Sequence, residues 1–264
     1  EKYRVKISII QNKIARKLIK SILIVSLWFF IWQLIYWLVG NEIFVPSPLT
    51  VLRRLFVLAV KAEFWYTVFF SIGRIFLGFI VGILLGILLG VVCNNQIMAD
   101  ILSPLKAIIK ATPVASFIML AWIWLRRDQI PVFIAMLMVT PILWGNISTG
   151  IQNVNQEYLA FAKVYDLTWA KKIKYIYVPT VLPYFTSAAY TAAGLVWKAG
   201  IAAEVLCQPK NSIGANLYQA KNLLDTQDVF AWTAVVIVIS LCLESAMKWG
   251  FAKIGKKVTL TGEK

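Results

Sequence analysis

The feature that most constrains this sequence is a set of apolar runs too long and too poor in charge to be buried inside a water-soluble domain. Ser21–Val39 has no charged side chain, and Thr67–Val92 has only Arg74. A helix of the length of Ser21–Val39 extends about 28 Å, close to the hydrocarbon thickness of a bilayer. Composition agrees: 60% of the 264 residues are hydrophobic and 15% are charged, against a usual charged share of about 25%. Too few polar side chains remain to clothe a water-facing surface, so lipid is the expected solvent.

Six such segments are predicted as crossings, each bounded by charge, Pro or Gly: Ser21–Val39, Thr67–Val92, Val114–Leu125, Ile130–Ile151, Val181–Ala202 and Val229–Gly250. The third is short and is expected to borrow length from the amphipathic stretch Ile101–Ala111 across Pro113. The basic residues fall mainly between the runs, which sets an orientation. With the N-terminus inside, the inner segments 1–20, 93–112, 152–178 and 248–264 hold 18 of the 27 Lys and Arg; the outer segments hold 7. Both termini are therefore expected on the cytoplasmic side of a single transmembrane domain spanning 1–264. Its basic N-terminus is 1–20 and its tail is 251–264.

The formal charge of +15 is thus read as topology rather than as a nucleic-acid footprint. The N-terminal run is too long for a signal-peptide core, lacks a small-x-small cleavage site, and is expected to be a retained anchor. There is no histidine, the commonest metal ligand and general base, and Cys93, Cys207 and Cys242 have no metal or redox spacing. No catalytic residue and no metal ligand is expected.

The inner segment 152–178 carries the most information. From Glu157, Leu159, Ala162 and Lys163 share a helical face, followed by a break at Asp166-Leu167-Thr168. A second helix is predicted from Trp169 to Tyr177, ending before Pro179, with Trp169, Ile173 and Ile176 on one face. Read by periodicity alone, this helix-turn-helix is either a connector resting on lipid headgroups or a docking element.

This stretch resembles the coupling loop of binding-protein-dependent ABC importer permeases, whose signature is Glu-Ala-Ala, a Gly four residues on, and a Pro thirteen after that. Ala160, Phe161 and Ala162 occupy the triplet, Asp166 stands at the Gly position and Pro179 at the Pro. Asp tolerates a left-handed turn better than most residues. Val45-Pro46-Ser47-Pro48 with Val51-Leu52, then Ser71, Arg74, Gly78 and Phe79, then Trp197, Ala202, Ala203 and Glu204, and finally Ile213-Gly214 extend the resemblance to the nitrate, sulfonate and taurine branch.

The resemblance implies an all-α permease of the type I importer fold that moves a small, often anionic solute. It implies a dimer of cytoplasmic ABC ATPases holding ATP and Mg, an extracytoplasmic binding protein, and a second permease copy. It implies no cofactor on this chain and a place in the bacterial inner membrane. It assigns Leu159, Ala160, Phe161, Ala162, Lys163, Asp166, Leu167, Thr168 and Trp169 to ATPase coupling. From the residues alone, Gly78, Gly82, Gly86 and Gly90 form a stripe for close helix packing. Arg74 and Lys198, charged within membrane runs, must face protein or water. With Trp197, Glu204, Thr140 and Asn146 they are the candidates for a substrate pathway, Arg74 alternatively pairing with Glu204 or Glu63. Two other classes are weighed. A stand-alone transporter or channel wants intramembrane carboxylates or proton relays, and only Glu244 lies well inside a run. A membrane-embedded enzyme wants a nucleophile–base pair or a metal cluster.

Overall fold

In a computed structural model, residues 2–262 are described, with side chains described at 16, 19, 20 and 21–250. The side chains of the N-terminal basic stretch and the tail 251–264 lie largely outside the described residues. The fold is all-helical among the described residues, as expected where lipid leaves no other partner for the backbone amides. In order these are α1 (Lys2–Val39), α2 (Pro48–Ala59), α3 (Ala62–Val92), α4 (Gln96–Ala111), α5 (Val114–Trp124), α6 (Ile130–Gln152), α7 (Gln156–Val164), α8 (Trp169–Lys172), a π turn (Ile173–Tyr177), α9 (Val178–Cys207), α10 (Ile213–Asn222) and α11 (Thr226–Gly262).

Two compact units are present. One comprises the chain up to Lys61 together with Ala220–Trp232. In it α1 ends at Gly40, whose φ of +64° suits a residue without a Cβ. Ser47 then caps α2, its hydroxyl accepting from the Thr50 amide at 3.1 Å, with Pro48 in the first turn. The Trp32 indole donates to the Pro46 carbonyl at 3.1 Å and stacks on Phe230. Arg54 makes a forked ion pair with Asp228, one arm at 2.8 Å. The Pro-Ser-Pro loop is thereby fixed by a cap, an indole and a two-pronged charge pair.

The second unit comprises Ala62–Gln219 with the chain from Thr233 onward. Here α6 packs against both α3 and α9, and α5 adds to the same core. The glycine stripe makes the first contact close. A Cβ built on Gly78 would sit 2.3 Å from the Val132 carbonyl, and at Gly82, Gly86 and Gly90 it would sit 2.5–2.7 Å from the Cβ atoms of Val139, Leu143 and Ile147. Four-residue spacing on one helix meets four-residue spacing on the other, as in packing of i±4 ridges.

Among the described residues four helices are long and apolar enough to cross a membrane: Ile19–Val39 within α1, Ala62–Val92, Ile130–Gln152, and Thr226–Gly250 within α11. The α4–α5 pair is a fifth if it forms one span, but it bends by 105°. The extension of the third segment through Ile101–Ala111 is therefore not a straight rod. Pro113 holds the preceding Thr112 extended (ψ 130°) and breaks the helix there. The fifth segment lies inside α9, which is 30 residues long but falls short of the others in apolarity. Tyr184, Thr186, Ser187, Tyr190, Thr191, Lys198 and Glu204 lower it, and of these Ser187, Thr191 and Lys198 are exposed on one face, which they share with Leu195 and Ala202.

A second expectation needs correction. The helix from Trp169 does not end before Pro179 but runs on into α9 through the π turn Ile173–Tyr177. Pro179 has no amide to donate, and its ring would crowd the Tyr175 carbonyl in a regular helix; a wider preceding turn absorbs the misfit. The widening also rotates Ile176 away from Trp169 and Ile173. Ile176 is buried beside Ala162 and Val154, whereas Trp169 and Ile173 are exposed.

Candidate functional site

The helix-turn-helix after α6 is built by local rules. Asn155 caps α7, its carboxamide oxygen accepting from the Glu157 amide at 2.8 Å, and Glu157 sits in the first turn where the helix dipole favours an anion. At the other end Asp166 has φ +46°. The Leu167 amide donates to the Ala162 carbonyl at 2.9 Å and the Asp166 amide to Lys163 at 3.2 Å. Those two bonds, with a left-handed residue between, form a Schellman cap, a role usually given to glycine. Its customary apolar contact is present, since Leu167 packs on the cluster of Val154, Ala162 and Ile176 together with Leu159 and Tyr177.

This small core divides the predicted coupling residues into two sets. Leu159, Ala162 and Leu167 point inward and hold the element together. Phe161 and Trp169 point outward, each about two-thirds exposed. Ala160 and Lys163 are exposed beside them, Asp166 forms the bend, and Thr168 precedes α8 in extended conformation. Tyr158, just before the stretch Leu159 to Trp169 expected to dock, and Val164 and Tyr165 within it are exposed by 60–80%, and the Phe161 and Tyr165 rings lie 4.4 Å apart. The signal was available, because Tyr158, Phe161 and Tyr165 follow at three and four residues, the spacing of one helical face. Few soluble surfaces leave so many large apolar side chains together without a partner.

The second constellation is charged. Glu204 is fully buried near the end of α9. Its Oε2 accepts from the Ser71 hydroxyl at 2.7 Å and from the Gly214 amide at 3.2 Å; its Oε1 faces Arg74 at 3.2 Å. Ser71 also accepts from the Ile213 amide at 2.9 Å, and Arg74 donates to the carbonyls of Lys210 and Asn211 and lies 3.6 Å from Asp128. Gly214 is required here, since a Cβ would fall 2.3 Å from the Val205 backbone nitrogen. Gln208 and Asn211 take left-handed φ near +49° to bring the chain round. Arg74 thus pairs with Glu204, not with Glu63, and Glu204 ties the loop after α9 to α3.

The other pathway candidates do not gather. Trp197 is buried and donates its indole N–H to the Val236 carbonyl at 3.0 Å. Thr140 is buried with its hydroxyl on the Met136 carbonyl at 2.8 Å, and the Asn146 carboxamide donates to Ile142 at 2.9 Å; α6 is continuous through Pro141. Lys198 alone is exposed, on the polar stripe of α9. Among the described residues no group of His, Cys, Asp or Glu is arranged to hold a metal ion.

Comparison with known proteins places this architecture. Residues 82–256 match the family model described as binding-protein-dependent transport system inner membrane component. The bicarbonate transport system permease CmpB of Synechococcus elongatus is 29% identical over 193 residues, covering 72% of this chain and 68% of that protein. The nitrate import permease NrtB of a Synechocystis species is 26% identical over 241 residues, covering 86% of each. Among solved structures, a chain of a bacterial alginate ABC transporter in complex with an alginate-pentasaccharide-bound periplasmic protein aligns with a TM-score of 0.55 at 16% identity, covering 90% of this chain and 95% of that one. With several apolar helices and a matched stretch that includes the glycine stripe from Gly82, the capped helix-turn-helix and Glu204, the chain is a multi-pass membrane protein and belongs to the ABC importer permease family of binding-protein-dependent inner membrane components.

Proposed function

We propose that this chain forms the translocation pathway of an ATP-driven importer for a small anionic solute in a bacterial inner membrane. An extracytoplasmic binding protein delivers the solute, a second permease copy completes the pathway, and a pair of cytoplasmic ABC ATPases drives the cycle. ATP and Mg belong to those ATPases, and this chain performs no chemistry of its own. The observation that carries the reading is the outward face of α7 and its cap. Tyr158, Phe161, Val164 and Tyr165 present a bare aromatic surface on an element braced from behind by its own core. Such a lever transmits force because it is rigid on one side and adhesive on the other.

The anionic character is supported by Lys198 on the exposed stripe of α9 and by the cargo in the relatives' names, bicarbonate and nitrate. Lys198 has no carboxylate partner among the described residues, and a cation on a helix of membrane-spanning length needs water or protein around its head, which a water-filled path between subunits supplies.

Uptake in proteoliposomes containing the permease, its ATPase and its binding protein tests both assignments. Phe161→Asp is expected to leave a monodisperse permease but to lose the co-purifying ATPase and ATP-driven uptake. Lys198→Gln is expected to keep the ATPase bound and lower uptake at least about tenfold, with Lys198→Arg retaining most of it. Full uptake by Phe161→Asp would remove the coupling assignment, and full uptake by Lys198→Gln the anion contact.

A further inference from the structure

The side that α4 lays on α6 is broken by one charge. Ala99, Leu102, Lys106 and Ile109 are half-buried, at the three- and four-residue spacing of one helical face, while the residues between them are exposed. Three of these are apolar, as packing requires, and Lys106 is the exception. A lysine stem is long enough to carry its head out to water. Here the head turns inward instead: Nζ lies 4.9 Å from the centroid of the Trp144 ring, and Trp144 is 2% exposed. Gly145 leaves the room for this, since a Cβ there would fall 3.2 Å from Nζ.

An indole face offsets only part of an ammonium's lost hydration and leaves its N–H donors unmet. Nothing nearby balances the charge. α6 carries no charged side chain, and among the described residues Lys106 has neither a carboxylate partner nor a hydrogen-bond acceptor. From Trp144 to the end of α6 at Gln152 the helix runs about 12 Å. The cation is therefore held beside a span, well short of its end, where an unbalanced charge is costly.

We propose that Lys106, seated on Trp144, is a second contact for the transported anion, which it binds on the side that the indole leaves open. The contact deepens the proposed import of a small anion and rests on that reading. Gly150 of α6 meets Tyr184 of α9. From that level Trp144 is about 9 Å along its helix and Lys198 about 21 Å along its own. The two cations thus stand at different depths, as successive stations for one solute need. With no second cation on α6, the site suits a small monoanion. A lipid phosphate is better served by Lys110, one turn further along α4 and exposed.

The assembled transporter is prepared with 5-fluorotryptophan in a neutral maltoside detergent, and the Trp144 fluorine resonance is assigned by its loss in Trp144→Phe. Nitrate, bicarbonate and methanesulfonate are titrated at constant ionic strength against gluconate. At least one should move the Trp144 resonance saturably, because an anion on the ammonium changes the charge over the ring. Lys106→Gln should weaken that saturation at least about tenfold, and Lys106→Arg by less than about threefold. A saturable shift unchanged in Lys106→Gln, or no saturable shift with any of the three anions, would overturn the contact. A lipid phosphate retained on Lys106 would give the second of these results. Uptake of the same anions into proteoliposomes is measured separately. Uptake without the shift removes the contact and leaves the proposed function standing; the shift without uptake does the reverse.

Discussion

Glu204 has four neighbours that would be left without it: the Ser71 hydroxyl, the Gly214 amide, the Arg74 guanidinium and, through Ser71, the Ile213 amide. A buried ion pair contributes little net stability when whole, yet removing one partner strands the other at about 3–5 kcal/mol. Arg74 keeps a small opening to solvent, its side chain 13% exposed, together with its bonds to the Lys210 and Asn211 carbonyls and its approach to Asp128, so the lower end of that range applies. Glu204→Ala should therefore destabilise the permease by about 3 kcal/mol. Glu204→Gln retains an acceptor for Ser71 and should cost about half as much. Thermal unfolding in detergent, followed by tryptophan emission, separates the two; equal melting temperatures for wild type and Glu204→Ala would show that the node holds nothing. The same bonding explains why Arg74, a charge within an apolar run, needs no substrate to account for it. Among the described residues Lys198 has no such carboxylate partner, which is why the anion contact is assigned to it.

At the scale of elements, the α3–α6 contact turns on which glycines face a neighbour. Gly73 has nothing within 4 Å of where a Cβ would go, whereas at Gly78 the Cβ would strike the Val132 carbonyl at 2.3 Å and the Ala135 Cβ at 2.6 Å. Backbone cannot swing aside as a side chain can, so the helices must separate. Gly73→Ala should be neutral or stabilising by about 0.5 kcal/mol, and Gly78→Ala destabilising by about 1–3 kcal/mol. The unfolding assay used for Glu204 reads the difference, and a pair of equally tolerated substitutions would deny the close contact. This stripe is legible in sequence, because a four-residue glycine repeat in an apolar helix has few other uses. The bend at Asp166 is legible for a similar reason, as one of the few non-glycine residues at ease in the left-handed region. The π turn is not. Nothing in Ile173–Tyr177 distinguishes a widened turn from an ordinary one, and the strain that produces it comes from Pro179 being carried inside a continuous helix. The outward set Tyr158, Phe161 and Tyr165 is legible as a face but not as an exposed one, since Leu159 and Leu167 compete for the same core.

For the molecule as a whole, one element decides the side on which everything after it lies. If the α4–α5 pair, bent by 105°, crosses the membrane, α6 returns inward and the capped helix-turn-helix is cytoplasmic. If the pair dips in and comes back, α6 runs outward and places Phe161 on the wrong face for a cytoplasmic ATPase. The distribution of basic residues favours crossing: 152–178 holds four lysines, and such clusters resist translocation. α9 must then cross outward despite its polar stripe. That is physically acceptable if Ser187, Thr191 and Lys198 meet water or a second copy rather than acyl chains. Single cysteines in a Cys242→Ser background, where the two other native cysteines are buried, can decide the matter with a membrane-impermeant maleimide. Lys61→Cys and Lys210→Cys should label in intact cells, and Lys163→Cys only after permeabilisation. A re-entrant α4–α5 would leave Lys61→Cys labelled but exchange the other two, a pattern that would also end the proposal that the aromatic face of α7 meets a nucleotide-driven partner.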